Sequence, residues 1–173
     1  MTNQTHHPAA PPIKLERRYD AAIEDLWRLW TTKEGFESWW GPDGFRVQVH
    51  KLEAREGGEL LYDMIAVAPA QIAFMKQANM PVAHAARGTF VEVRPFESLT
   101  INHRIDFIPG VKPYDNRARV QFFREGKGVR MLITVDAHHD PHWTQMAAAG
   151  WESQLGKVPG ALAAPRAAPS ASG

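Results

Sequence analysis

At 173 residues the chain is about one domain long, and a domain of that size buries roughly two thirds of its unfolded surface without a covalent staple. With no cysteine, disulfides, thiolate metal sites and thiol catalysis are excluded, and the composition fits a reducing compartment. A balance of 20 basic against 19 acidic residues, net +1, gives no electrostatic reason to expect nucleic acid or an anionic membrane as a partner.

Residues 1–12 combine prolines, alanines and two histidines with nothing to bury and read as a flexible tail, as do residues 159–173. No stretch approaches the roughly twenty apolar residues of a membrane helix, and no basic segment with an apolar run opens the chain, so a soluble cytoplasmic protein is expected. Between the tails, residues 13–158 form one domain. The first strand is IKLERRYD, whose inward positions Ile13, Leu15 and Tyr19 are interrupted by Arg17. Asp20 is expected to cap a helix carrying Ile23, Leu26, Trp27 and Trp30 on one face. Thr31 and Glu34 have capping-box spacing for a second short helix, which Gly41 and Pro42 end. The adjacent Trp39 and Trp40 cannot share one helix face, so one enters the core while the other closes a turn or lines something hollow.

Two strands follow, GFRVQVHKLE and GGELLYDMIAVA, separated by Gly57 and Gly58. Residues 69–87 read as an insertion containing a helix from Pro69 to Asn79, with Pro81 beyond it. Two more strands come next, and along the second of them Leu99, Ile101, His103, Ile105 and Phe107 lie on one face while Asn102, Arg104 and Asp106 lie on the other. RARVQFFREGKGVRMLITVDA is a hairpin turning at residues 125–128. Asp140 followed by Pro141 opens a long amphipathic helix with Trp143, Ala147, Trp151, Leu155 and Val158 as its apolar stripe. A single sheet covered on one side by such a helix is an α+β domain.

The segments YDAAIEDLWRLWTTKEGFESWWGPDGFRVQV, GGELLYDM, GTFVEVRPFESLT and GWESQLGKV resemble the activator of Hsp90 ATPase homologue-like family, within the START-like, helix-grip (SRPBCC) superfamily, over Ile13 to Val158. The resemblance implies a curved seven-stranded antiparallel sheet gripping a long C-terminal helix, with two short helices after the first strand and an elongated apolar cavity between sheet and helix. It also implies that Trp39 and Trp40 close the second helix. The insertion at 69–87 and the proline-rich FIPGVKPYDN are departures at the expected cavity mouth. A shared fold does not choose among the superfamily's carriers, receptors, cyclases and cochaperone modules.

The cavity so implied is expected to bind an apolar or aromatic small molecule. Its expected walls are Trp39 or Trp40, Tyr62, Met64, Phe90, Phe107, Phe122 and Met131, with His103 as a polar, titratable group among them. No nucleophile, base and orienting group can be assembled from the sequence, so the catalytic residues of the competing reading, a cyclase-like or hydrolytic enzyme, stay unknown. A third reading, a protein-interaction domain acting on a chaperone ATPase, is weakened by the lack of room for a second binding module; a homodimer is a further expectation carried by the family. The glycines lack dinucleotide and phosphate-loop spacing, and no cofactor is expected. His138, His139 and His142 have no helical HExxH arrangement and read as polar groups around a helix start rather than a metal site.

Overall fold

In a computed structural model, which describes residues 10–164, the chain forms a seven-stranded antiparallel sheet of order β1-β7-β6-β5-β4-β3-β2. The strands are β1 (Ile13–Tyr19), β2 (Phe45–Leu52), β3 (Glu59–Ala66), β4 (Ala83–Arg94), β5 (Ser98–Ile105), β6 (Tyr114–Glu125) and β7 (Gly128–Val135). The helices are α1 (Ile23–Thr31), α2 (Lys33–Trp39), α3 (Pro69–Gln77), α4 (Pro141–Leu155) and α5 (Val158–Ala163). The sheet curls around the C-terminal helix, giving the α+β helix-grip fold that the resemblance implies.

The local signals are mostly honoured, with shifts of one or two residues at the starts of α1 and α2. Ala22, not Asp20, is the N-cap of α1 and makes no side-chain cap, so the helix start relies on Glu24 and Asp25 in its first turn. Thr32 rather than Thr31 caps α2, accepting from the Gly35 amide at 3.1 Å, while Thr31 bonds back to the Trp27 carbonyl. Asp140 caps α4 by accepting from the Trp143 amide at 2.7 Å, with Pro141 opening the first turn.

Two expected boundaries are corrected. The insertion ends at α3, because Ala83–Arg87 pair with β3 as the first part of β4. Nor does the domain stop at Val158: residues 158–163 form α5, which buries Val158 and Ala161. The remainder of both expected tails, residues 1–9 and 165–173, lies outside the described residues.

Arg17, the basic interruption of β1, is explained by its partner. It stays on the inward face of the strand and reaches Glu152 on α4. Both side chains keep solvent access, so the pair orients the helix more than it stabilises the fold.

The concave face of the sheet is divided lengthwise. Toward one end Leu60 of β3, Phe90 of β4, Leu99 and Ile101 of β5, Val120 and Phe122 of β6 and Met131 of β7 are buried in one core with Leu26, Leu29, Trp30 and Phe36 of α1 and α2. Trp39 belongs to this core. Its indole N–H donates to the Leu29 carbonyl at 2.9 Å, and its ring meets Trp30 edge to face at 4.7 Å. Toward the other end the sheet faces α4.

Candidate functional site

Continuing along the same strands past the packed core, the inward residues become Tyr62 and Met64 on β3, Ala86 and His84 on β4, His103 and Ile105 on β5, and Ala118 and Asn116 on β6. Over them lies one face of α4, formed at helical spacing by Trp143, Met146, Ala147, Gly150, Trp151 and Gln154. Sheet and helix do not close on each other here. They leave a recess of about 270 Å³.

The small residues of α4 are one cause of the gap. A Cβ placed on Gly150 would meet no atom within 4 Å, although a glycine inside a helix costs about 1 kcal/mol against alanine. A second cause is the turn after α2. The Gly41 amide donates to Gln154 Oε1 at 3.0 Å and the Asp43 amide to Ser153 Oγ at 2.8 Å, which fastens the C-terminal half of α4 to that turn. Gly41 sits at φ 92°, a left-handed conformation that a residue with a side chain adopts only at a cost.

Trp40, at the C-cap of α2, forms the end wall. Its indole N–H donates to the Tyr62 hydroxyl at 3.1 Å, its ring stacks on His103 at 5.7 Å and 16°, and Trp151 meets it edge to face at 5.1 Å. The tryptophan pair is thus split by function: Trp39 plugs the core and Trp40 faces the recess. Gly88, paired with His103 across β4 and β5, has no side chain to compete with the imidazole.

Burial governs the titration of the polar groups. It pushes the Tyr62 hydroxyl up to about 12 and the His103 imidazole down to about 4, the latter helped by the nearby His138. His103 Nε2 is shut from solvent and has no hydrogen-bond partner. His84, stacked on Phe107 at 4.6 Å, is likewise lowered by burial and has an unpartnered Nδ1. A neutral imidazole with one nitrogen unpartnered can accept or donate one further hydrogen bond there, according to its tautomer.

Of the residues expected to wall a cavity, Trp40, Tyr62, Met64, His103 and Phe107 line the recess. Phe90, Phe122 and Met131 lie on the same concave face but at its packed end, Phe122 against Trp27 at 5.6 Å, and Trp39 is buried among α1 and α2. Alternation reports a side chain's face and not its distance along the strand, so it cannot separate Phe90, Phe122 and Met131 from the others, and the helix argument for Trp39 or Trp40 leaves open which of the two turns outward. Arg104 borders the recess, but its guanidinium is engaged with Asp115, to which it donates at 3.1 Å. His84, which also lines the recess, falls in the segment that reads as an insertion, although the two-residue spacing of His84, Ala86, Gly88 and Phe90 carries the strand signal. Among the described residues no group of three or more His, Cys, Asp or Glu side chains is arranged to hold a metal; His138 and His139 converge on the Tyr114 hydroxyl instead. No helix among them is long and apolar enough to cross a membrane.

The family profile described as activator of Hsp90 ATPase homolog 1-like protein matches residues 20–163. No curated protein matches the chain. Among solved structures, a protein from Chromobacterium violaceum superposes with a TM-score of 0.70 at 20% identity, over 90% of this chain and 99% of its own. An AHSA1 protein from Silicibacter pomeroyi gives 0.69 at 20% identity, over 88% and 97%. A protein from Arthrobacter aurescens gives 0.69 at 19% identity, over 94% and 92%. At these identities the likeness establishes a shared fold.

Proposed function

We propose that this chain, which belongs to the activator of Hsp90 ATPase homolog 1-like family, binds an apolar or aromatic small molecule in the recess between α4 and the sheet. The observation that carries this reading is the unfilled space opposite Gly150, walled by Trp40, Trp143, Trp151, Met64 and Phe107. A domain selected only for stability gains by placing a larger side chain there, since a helix-interior glycine and an apolar gap both cost free energy. Aromatic walls with a few polar groups are the usual composition of a small-molecule site.

Volume restricts the ligand. A cavity of about 150 Å³ accommodates benzene, so the recess of about 270 Å³ has room for a compound of one or two rings. Native mass spectrometry of the protein purified from its own cells, with release and identification of the bound compound, tests the reading. A stoichiometric aromatic or apolar compound is expected. An empty protein that also fails to take up any mono- or bicyclic aromatic added in excess contradicts it.

A further inference from the structure

Beside the recess four polar side chains stand in line. The Tyr114 hydroxyl of β6 lies 2.6 Å from His138 Nδ1 and 3.1 Å from His139 Nδ1. His139 Nε2 lies 3.3 Å from Asp140 Oδ2. The line is anchored to the first turn of α4, because Asp140 caps that helix and the His138 amide donates to Thr144 Oγ1 at 2.9 Å. His138 lines the recess and Tyr114 does not. With Nδ1 turned to Tyr114, Nε2 is the ring nitrogen of His138 left for another partner.

Donor and acceptor counts assign the protons. A hydroxyl between two Nδ1 atoms donates to one and accepts from the other. The Asp140 carboxylate, 3.3 Å from His139 Nε2, favours the tautomer that carries its proton on Nε2, so Nδ1 is the bare nitrogen that accepts the Tyr114 proton. The Tyr114 oxygen then accepts from an N–H at His138 Nδ1. That leaves His138 Nε2 without a proton, as a hydrogen-bond acceptor on a residue that lines the recess.

We propose that the recess takes a small phenolic compound acidified by an electron-withdrawing substituent, and that His138 receives its hydroxyl proton and passes the charge through Tyr114 to His139. This rests on the ligand-binding reading above. In the transfer the ligand O–H bond breaks as His138 Nε2–H forms. The Nδ1 proton of His138 moves to the Tyr114 oxygen, and the Tyr114 proton moves to His139 Nδ1. The ligand is left as a phenolate held by His138 Nε2–H, and His139 becomes an imidazolium against Asp140. Nothing is oxidised or reduced.

Ligand acidity follows from matching. An ordinary phenol titrates near pH 10 and imidazole near 6.5, a gap of about three decades that no single hydrogen bond closes. A nitro- or acyl-substituted phenol closes most of it. The relay serves to move the positive charge away from buried surroundings: on His138, burial and the neighbouring His139 disfavour charge more than Asp136 and Asp140 favour it, and the line leads outward from it to His139. The titratable groups facing His138 are Tyr114 from β6, His103 from β5, and Asp136, His139 and Asp140 from its own connection.

The test uses 4-nitrophenol and its methyl ether 4-nitroanisole with the full chain, reading affinity and the absorbance of the phenolate across pH. The parent protein is expected to prefer 4-nitrophenol about tenfold, the worth of one good hydrogen bond, and to bind it as phenolate at a pH about one unit below that seen with Tyr114→Phe. His139→Gln, at the outer end of the line, is expected to lose the same shift, and in both variants the affinity ratio falls toward one. Equal affinity for the two compounds, with neither variant moving the phenolate titration, overturns the relay while leaving the binding reading standing. Binding of neither compound overturns both.

Discussion

Protonating His103 should destabilise the fold, and replacing it by phenylalanine should remove that sensitivity. The imidazole lies between Trp40 and Tyr62 with an unpartnered Nε2, and burial lowers its titration to about 4. In the unfolded chain the same group takes up a proton near pH 6.5. Between those two values the unfolded chain binds a proton that the folded chain does not, so the stability contributed by the neutral group is complete above about pH 6.5 and is lost as pH falls toward 4. Linkage gives a loss of about 2 kcal/mol at pH 5 and about 3 kcal/mol at pH 4. Stacking of the charged ring on Trp40 opposes this by about 1 kcal/mol as a cation–π contact and does not reverse it. Urea unfolding followed by tryptophan fluorescence at fixed salt, for the parent and for His103→Phe, isolates the effect. His84 and His138, also lowered by burial, contribute in the same direction to both proteins and largely cancel in the difference. The variant should be at least as stable as the parent near pH 7 and gain on it steadily toward pH 4. A stability difference that stays constant over that range would show that His103 is solvated and that the recess wall is built differently.

Trp151→Ala should cost about 3 kcal/mol, near the lower end for a buried tryptophan, because Trp151 stacks on Trp30 and meets Trp40 but also lines the recess; a loss below about 1 kcal/mol in chemical denaturation would mean that α4 does not pack as described. Gly150→Ala should stabilise the domain by about 0.5 to 1 kcal/mol through helix propensity alone, since the new methyl group meets no atom. Gly150→Phe should remain folded and lose ligand uptake; retention of uptake would place the ligand elsewhere.

Apart from α5, which lies where a tail is expected, the order of elements is legible because most are punctuated by Gly, Pro or a capping residue, from the alternation of β5 to the Asp140-Pro141 start of α4. Caps were legible only to within a residue or two, since neighbouring threonines such as Thr31 and Thr32 offer the same hydroxyl and tertiary contacts choose between them. The candidate site was partly legible. Strand alternation identifies the inward face, and Tyr62, Met64 and His103 follow from it. What it cannot report is that the same face is filled at one end by α1 and α2 and open under α4, so Phe90 and Phe122 look equivalent to Phe107 until the helices are in place. The histidines after β7 were legible as a cluster, but their common partner Tyr114 lies on another strand, 24 and 25 residues away.

The six tryptophans permit the most direct test of a ligand site under α4. Trp40, Trp143 and Trp151 line the recess, whereas Trp27, Trp30 and Trp39 do not. With the indole nitrogens labelled, titration by a bicyclic aromatic such as 2-naphthol should give the large saturable shifts in the N–H signals of Trp40, Trp143 and Trp151. The Trp39 signal, held on the Leu29 carbonyl, should stay in place. Saturable shifts concentrated on Trp27, Trp30 or Trp39, or no saturable shift at any of the six, would contradict a binding site between α4 and the sheet.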